Sequence, residues 1–223
     1  MSRIHRVLLY AWFWLIVKPV VRLLIGVAVF GRQHLRLKEP SIIVANHNSH
    51  LDALVLMDLL PSRCLGKVRP VAAADYFEKT AITAFIWKWC MNVIPIRRDK
   101  VTRTHNPLQA MIDRLDAGET LLLFPEGTRG EPEQMSKLQT GIAHVLAKRP
   151  EVPVIPVLMR NLGFSMPRGD LVIVPMFCDV FIGKPRKLRG ERAEIMHQLQ
   201  ECFDDLKAIA DRLRDSQAAE DDR

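Results

Sequence analysis

The stretch from Ser41 to Asp52, SIIVANHNSHLD, decides the fold, because a short β-branched run leads directly into two histidines and a carboxylate. Residues 41–45 have the composition of a buried strand. Apolar residues at helical spacing then run from Asp52 to Leu60, and Pro61 ends that pattern. The stretch therefore predicts a strand that passes through a short turn into a helix, the unit from which α/β proteins are built.

The same alternation of strand and helix continues through the rest of the chain. Strands are predicted at residues 71–74, 92–96, 121–124, 153–159 and within 171–182. Helices are predicted at residues 77–90, 107–115, 136–148 and 191–213. This order predicts an α/β fold, a layered domain with a mixed, largely parallel sheet flanked by helices. The domain is assigned to residues 39–214, and residues 215–223 to a frayed acidic tail.

Composition and charge restrict the class of protein. The chain has 223 residues, of which 48% are hydrophobic and 26% charged, and this excludes a disordered or fibrous chain. Lysine and arginine number 32 against 25 acidic residues, and a basic N-terminus adjoins an apolar segment. That placement favours anionic lipid headgroups as the partner, whereas no nucleic-acid motif is visible. The four cysteines are widely spaced, which predicts reduced, buried thiols and not a disulfide scaffold.

Residues 7–30 form an apolar N-terminal segment that Lys18-Pro19 and Arg22 interrupt. If this segment crossed a bilayer as one span, Lys18 and Arg22 would lie near its centre, each at a cost of about 2.5–3.5 kcal/mol. The apolar residues offset nearly all of that cost, so hydropathy alone does not decide. Basic residues flank both ends, as expected when both ends stay on the cytoplasmic side. They are Arg3, Arg6, Arg32, Arg36 and Lys38.

Two short interfacial helices, broken at Lys18-Pro19, satisfy these constraints best. We expect residues 1–38 to form them and to dip into one leaflet at the cytoplasmic face of the cell membrane. Tyr10, Trp12 and Trp14 suit the boundary between lipid and water. A single membrane span, a cleaved signal peptide and a soluble core helix are the alternatives. The signal peptide is disfavoured because Lys18-Pro19 stands where a small-residue cleavage site belongs.

The polar segment after the first strand carries the first candidate site. His47 and Asp52 are five residues apart, so on one continuous helix their side chains would point about 140° apart. They meet only if His47 precedes the helix and folds back. Asp52 then accepts Nδ1–H and leaves Nε2 as a proton acceptor, which supports general-base catalysis without a serine or cysteine nucleophile. The alternatives are a capped helix start with a solvated histidine and a zinc site with His50, which lacks a second ligand cluster.

Two further polar segments follow predicted strands. The segment FPEGTR, residues 124–129, presents backbone N–H groups, a hydroxyl and a guanidinium at a place where anionic groups bind in α/β sheets. The segment VIPIRR, residues 93–98, delivers two guanidinium groups, which match phosphate oxygens in pairs of hydrogen bonds. Taken singly, an ordinary polar turn and a solvated basic strand end are the alternatives.

In this order and at these spacings, the motifs N-H-x-x-x-x-D, I-P-I-R-R, F-P-E-G-T-R and V-I-P-V resemble the glycerolipid acyltransferase family. Its best-known members acylate 1-acylglycerol 3-phosphate. The resemblance runs from about Ser41 to Pro185. It departs from the family pattern at Asn92, where a glycine is common, and at Arg97, where an acidic residue is common.

The resemblance implies a role for each matching residue. His47 is expected to be the general base, and Asp52 to hold it. Arg98 is expected to bind the phosphate of the acceptor, and Pro156 to shape the side of the acyl donor. The pocket for the acceptor is expected to contain Glu126, Gly127, Thr128 and Arg129.

The implied reaction moves a fatty acyl group from a thioester to the hydroxyl of a lysophospholipid, 1-acylglycerol 3-phosphate, and yields phosphatidic acid. A thioester is already activated, so no metal, nucleotide or redox cofactor is expected. The donor is acyl-CoA or acylated acyl carrier protein, and the expected partners are the lipid substrate and a membrane surface. Glycerol 3-phosphate or another lysolipid as acceptor, and a non-catalytic lipid-binding role on the same fold, are the alternatives.

Overall fold

A seven-stranded sheet carries the structure. The computed structural model describes residues 2–49, 51–74, 85–96, 106–128, 134–162 and 176–221. The strands in these residues are β1 Ile25–Phe30, β2 Ile42–Ala45, β3 Val68–Ala73, β4 Ile94–Ile96, β5 Thr120–Leu123, β6 Val154–Arg160 and β7 Met176–Ile182. Their order is β1-β7-β6-β2-β5-β3-β4, and all neighbours are parallel except β6 and β7. The predicted mixed, largely parallel sheet is confirmed.

Helices cover both faces of the sheet. They are α1 Arg3–Trp12, α2 Lys18–Leu24, α3 Asp52–Leu59, α4 Ser62–Leu65, α5 Pro107–Asp116, α6 Gly141–Lys148 and α7 Arg192–Asp221. Successive strand residues point to opposite faces, so Ile43 packs with α1 to α4 while Ile42 and Val44 pack with α5 to α7. Every residue of β2 and β5 is buried, as expected of central parallel strands with helices on both sides.

The N-terminal helix is continuous, so the predicted break at Lys18-Pro19 is wrong. A π-helical turn, Phe13–Val17, joins α1 directly to α2. Proline lacks an N–H group and disturbs the hydrogen-bond ladder of a helix. The π turn already interrupts the regular ladder just before Pro19, which allows the chain to stay helical through the proline.

Residues 25–30 are not part of the helical segment, contrary to the prediction for residues 1–38. They form strand β1, which pairs with β7 over six residues, from Ile25 opposite Met176 to Phe30 opposite Phe181. The β-branched and aromatic residues of this run favour a strand once a neighbouring strand is available to pair with it. The N-terminal helix therefore leads straight into the sheet of the main domain.

Two helices also have ends that differ by several residues from the prediction. Helix α7 continues to Asp221, so residues 215–221 are helical and not a frayed tail. Helix α6 begins at Gly141 and not at Ser136, because backbone groups before it bond elsewhere: the N–H of Gln139 donates to the carbonyl of Pro125 at 2.7 Å. The predicted helix at residues 77–90 is helical from residue 85 onward, and its earlier part lies outside the described residues.

Candidate active site

His47 and Asp52 are in contact at the carboxyl edge of the sheet. His47 follows β2 in a non-helical segment, and Asp52 is the first residue of α3. The distance between His47 Nδ1 and Asp52 Oδ2 is 2.8 Å. The predicted fold-back of the histidine onto the carboxylate is confirmed.

The carboxylate of Asp52 is fully buried, and one of its oxygens accepts three hydrogen bonds. Besides His47 Nδ1, Asp52 Oδ2 accepts the backbone N–H of Asn48 at 2.7 Å and of Ser49 at 2.9 Å. Burial raises the pKa of Asp52, and these hydrogen bonds act in the opposite direction. Because Oδ2 serves as an acceptor, Nδ1 of His47 carries the hydrogen and Nε2 keeps its lone pair.

Two further contacts hold His47, one through its ring and one through its backbone. It stacks on the ring of Phe124, with ring centroids 4.3 Å apart. The backbone N–H of His47 donates to Glu126 Oε1 at 2.7 Å. The side chain remains 23% exposed, so Nε2 is accessible to a molecule that enters the site.

Asn46 fastens the His47 segment to strand β6. Its Nδ2 donates to the carbonyl of Met159 at 2.8 Å, and its Oδ1 accepts the N–H of Met159 at 2.7 Å. The amide side chain therefore continues the β2–β6 ladder beyond its last pair, Ala45 and Val157. This role of Asn46 was not predicted from the sequence. The signal was a side-chain amide directly after a strand, since an amide offers the same donor and acceptor as a peptide group.

Glu126 connects the turn after β5 to two other segments. Its Oε1 accepts the N–H of His47, and its Oε2 accepts the N–H of Ser136, both at 2.7 Å. The residue is buried, and burial raises the pKa of Glu126 while the two N–H groups oppose that rise. Both oxygens thus hold backbone groups, a use that the sequence did not predict. The role of Glu126 as a substrate contact stays a prediction.

A cavity of about 420 Å³ opens beside the turn that follows β5. One end is polar and includes the predicted residues Glu126, Gly127 and Thr128. Gly127 has φ +76°, a left-handed conformation that favours glycine. The remaining wall is mostly apolar and is formed by Val71, Ala72, Ala73, Ile96, Met111, Leu123, Phe124, Pro125, Gln139, Gly141 and Ile142.

Three predicted residues, Arg98, Arg129 and His50, lie outside the described residues. From the sequence motifs, the strand before Arg98 is predicted to lie beside the strands before His47 and Glu126. This prediction is wrong, because β3 separates β4 from β5. With strands about 4.8 Å apart, the end of β4 is roughly 10 Å from β5 and about 15 Å from β2. Ile96, at the end of β4, nevertheless lines the cavity.

The departure from the family pattern at Asn92 has a local explanation. Asn92 has φ +59°, in the region that glycine occupies easily and that asparagine tolerates best among the other residues. Its Nδ2 donates to the carbonyl of Val68 at 3.1 Å, and its Oδ1 accepts from Arg69, which also bonds Glu119. This network lies at the amino edge of the sheet, away from His47.

The described histidines, cysteines and carboxylates do not form a metal site. Within the residues that the structure describes, no group of three or more histidine, cysteine, aspartate or glutamate side chains is arranged to hold a metal ion. All four cysteines are buried, as predicted, and none of them forms a disulfide. The zinc alternative includes His50, which lies outside the described residues.

Comparison with known proteins identifies the class to which this fold and site belong. A family model described as Acyltransferase matches residues 26–160, and the chain belongs to that family. Among particular relatives, the chain is 30% identical over 199 residues to 1-acyl-sn-glycerol-3-phosphate acyltransferase alpha from Bos taurus, and the match covers 86% of this chain and 61% of that protein. The human protein of the same name is also 30% identical, with 86% and 62% covered.

The chain thus spans about three fifths of the length of these curated relatives. Among solved structures, it resembles the 1-acyl-sn-glycerophosphate (LPA) acyltransferase PlsC from Thermotoga maritima, with a TM-score of 0.72. Sequence identity to that protein is 21%, and the match covers 89% of this chain and 78% of the other. This likeness establishes the fold.

Proposed function

We propose that the protein is a membrane-docked O-acyltransferase that moves a fatty acyl group from a thioester to the free hydroxyl of 1-acylglycerol 3-phosphate. The observation that carries the proposal is the contact between His47 Nδ1 and Asp52 Oδ2, which leaves Nε2 as an accessible base at the carboxyl edge of the sheet. The names of the relatives support the choice of acceptor.

The reaction balances with the two substrates alone. His47 Nε2 takes the proton of the acceptor hydroxyl as its oxygen attacks the thioester carbonyl. The carbon–sulfur bond then breaks, the new ester forms, and the proton returns from the imidazolium to the leaving thiolate. Asp52 stabilises the imidazolium during this exchange. No electron is gained or lost and the thioester is already activated, so the proposal includes neither a redox cofactor nor a metal.

The cavity beside Glu126 suits one end of a lipid substrate. Its apolar wall can accommodate part of an acyl chain, and its polar end adjoins the segment that carries His47. The phosphate of the acceptor is assigned to Arg98 and Arg129, with the hydroxyl of Thr128 as a further donor. The N–H of Gly127 is not assigned to it, because it donates to the carbonyl of Phe124 at 3.0 Å. The two arginines are assigned from the sequence motifs.

Docking to a lipid surface is assigned to the N-terminal helix, which is long and apolar enough to cross a membrane by length and composition alone. One face packs into the core through Leu9, Phe13, Val17 and Val21. The other face exposes large apolar side chains, which are Ile4, Val7, Trp14, Leu15, Ile16 and Leu23. A helix with one face in the core of the domain and an apolar face at the surface supports docking in the plane of one leaflet at the cytoplasmic face, and not a span.

Surface variants of the N-terminal helix test the proposed docking. Deleting residues 1–30 would remove β1 and core side chains, so surface variants are the better probe. Replacement of Trp14 and Leu15 by serine is expected to reduce flotation with anionic liposomes. Ile209→Ser, at an exposed site on α7, serves as the control and is expected to float like the unaltered protein.

An acceptor assay tests the proposed activity. The protein is supplied with liposomes that contain 1-acylglycerol 3-phosphate, glycerol 3-phosphate or another lysophospholipid, each with acyl-CoA and with acylated acyl carrier protein. The expected result is phosphatidic acid as the main product, absent with His47→Ala. A faster reaction with another acceptor would change the substrate, and liposome binding without turnover of any acceptor would favour a lipid-binding role.

A further inference from the structure

The lysine in the middle of the apolar helix is paired inside the protein. Lys18 Nζ lies 3.5 Å from Asp58 Oδ1, and the two side chains are only 12% and 9% exposed. The ammonium group also lies 4.6 Å from the centroid of the Trp14 ring. Asp58 Oδ1 is buried and accepts no hydrogen bond from the part of the chain that the structure describes. The Lys18 charge therefore compensates a buried carboxylate on another helix.

The partner helix is the one that carries Asp52. Helix α3 runs from Asp52 to Leu59, so Asp52 occupies its first turn and Asp58 its last. His47 binds one end of this helix and Lys18 binds the other. A second polar contact follows directly, because the hydroxyl of Tyr10 donates to the carbonyl of Ser62 at 2.8 Å. The N-terminal helix is thus connected to α3 and to the start of α4.

The same pair lies just beneath the surface assigned to lipid. Trp14, whose ring contacts the Lys18 ammonium, is 54% exposed, and Leu15 beside it is 72% exposed. Contact of these side chains with a bilayer would exclude water from the neighbourhood of the pair. Attraction between opposite charges strengthens when the local dielectric constant falls, so lipid contact would hold α3 more firmly.

We propose that Lys18 and Asp58 are a positioning pair that couples docking of the N-terminal helix on lipid to the orientation of α3, and through it to Asp52 and His47. The proposal rests on the proposed function, because it assigns a regulatory contact to the same site. Neither residue touches a substrate. Their effect reaches the reaction through the helix that presents the carboxylate to His47.

The double variant Lys18→Met with Asp58→Asn is the decisive test, because it removes both charges and leaves no unpaired buried ion. The matched control is Arg186→Met with Asp205→Asn, which removes a 2.7 Å ion pair between α7 and the segment after β7. For each protein, kcat, both KM values and the vesicle-bound fraction are measured on vesicles containing 1-acylglycerol 3-phosphate. The double variant should keep its bound fraction and both KM values. Its kcat should fall by about tenfold to a hundredfold, the range expected when a catalytic group is slightly misplaced.

Two kinetic results would overturn the proposal. One is a kcat within about twofold of the unaltered protein at full vesicle binding, which would make the pair irrelevant to positioning. The other is a loss of kcat in proportion to a loss of bound protein, which would reduce the pair to an anchor. The control variant should match the unaltered protein in all four quantities, and an equal defect there would make the effect one of general stability.

A spectroscopic measurement separates this inference from the proposed function. The Nδ1–H proton of His47, held by Asp52, is followed by NMR in 15N-histidine-labelled protein on lipid nanodiscs and is assigned by its absence in His47→Gln. We expect the signal to broaden or move in the Lys18→Met, Asp58→Asn variant and to stay unchanged in the control. If it does so while no acceptor is turned over, the coupling stands and the proposed function fails. An unchanged signal overturns the coupling even if the acylation assay succeeds.

Discussion

The backbone N–H of His47 donates to Oε1 of Glu126 at 2.7 Å across 79 residues of sequence. The other oxygen of Glu126 accepts the N–H of Ser136, so one carboxylate joins the segment after β2, the turn after β5 and the segment before α6. His47 and Ser136 lie outside helices and strands, so no hydrogen bond of a helix or sheet uses either N–H group. The position of the proposed base therefore depends on Glu126.

Glu126→Gln is expected to lower kcat more than either KM. The glutamine keeps one acceptor oxygen, but its NH2 group faces the second backbone N–H, a donor against a donor. An unsatisfied buried N–H costs about 1–3 kcal/mol, which the protein relieves by moving His47 or Ser136. Steady-state kinetics with varied donor and varied acceptor check this. If only the KM for the acceptor rises, Glu126 contacts the acceptor and does not position His47.

The difference in unfolding free energy between the unaltered protein and Glu126→Gln should also change with pH, in a defined direction. Burial raises the folded-state pKa of Glu126 above its ordinary value of 4.5, so the folded protein binds the proton more tightly than the unfolded chain. The contribution to stability is therefore fully present below the ordinary pKa and is lost as pH rises through the raised one. Glu126→Gln lacks this titration.

Urea unfolding of both proteins across the acidic range measures this effect. The difference in unfolding free energy, unaltered protein minus Glu126→Gln, should decrease as pH rises from below the ordinary pKa of the carboxyl. Asp52 titrates in both proteins, so its contribution cancels to first order. A difference that grows with pH would mean that the N–H groups of His47 and Ser136 outweigh burial and that the pKa of Glu126 is lowered.

The local parts of the site could be predicted from the sequence, and the long-range parts could not. The His47–Asp52 contact depends on five residues at one junction between a strand and a helix, and a short segment offers few other arrangements. The contacts of Glu126 and Asn46 join segments 79 and 113 residues apart, which become neighbours only through the order of the strands. That order is not written in any local pattern.

The N-terminal segment shows the same limit. Its apolar character and its basic flanks are local properties, and both agree with the exposed apolar face of the helix. The strand at Ile25–Phe30 exists because β7 offers a free edge to pair with, and that edge depends on residues about 150 positions later. In the sequence, Lys18 is an unpaired charge within an apolar segment. Its partner, Asp58, lies on a different helix, so the pairing is not visible in the local pattern.

Removal of the proposed base is the most direct test of the mechanism. His47→Ala should lower kcat by about a hundredfold to ten-thousandfold, the usual contribution of a general base, while folding and liposome binding persist. Asp52→Asn should also reduce turnover, because an amide does not stabilise the imidazolium. His50→Ala should have a much smaller effect, and EDTA none. Near-normal turnover by His47→Ala would contradict the mechanism, and inhibition by EDTA that Zn²⁺ reverses would support the zinc alternative.

Arg98→Ala is expected to raise the KM for the acceptor far more than that for the donor. The motif assigns this guanidinium to the acceptor phosphate, and a charge-assisted hydrogen bond is worth about 1.5–3 kcal/mol, or roughly ten- to a hundredfold in affinity. Arg98→Lys should restore part of the loss, because an ammonium group keeps the charge without the fork of donors. Arg97→Ala is the matched control, because the side chain of Arg97 is expected to point to the opposite face of the sheet from that of Arg98. If Arg97→Ala raises the KM for the acceptor more than Arg98→Ala does, the phosphate contact belongs to Arg97. If both variants instead raise the KM for the donor, these arginines bind the donor.

Gly141→Leu should shorten the acyl chain that the enzyme prefers. Gly141 is the first residue of α6 and lines the cavity beside Glu126, and a Cβ atom added there meets no heavy atom within 4 Å. A leucine can therefore enter the cavity without displacing the backbone, and it forms helix better than glycine does, so folding should not suffer. Each methylene that the new side chain displaces costs about 0.8 kcal/mol of apolar burial, or roughly a fourfold loss of kcat/KM.

Two series of substrates measure this effect, one with donors of increasing chain length and one with acceptors of increasing chain length. The series whose optimum moves to shorter chains identifies which substrate places its chain in the cavity. Lys148→Leu, in the exposed last turn of the same helix, adds the same side chain outside the cavity and should leave both profiles unchanged. If Gly141→Leu also leaves both profiles unchanged while retaining full turnover, the cavity holds neither chain, and the acyl groups must lie on another surface of the domain.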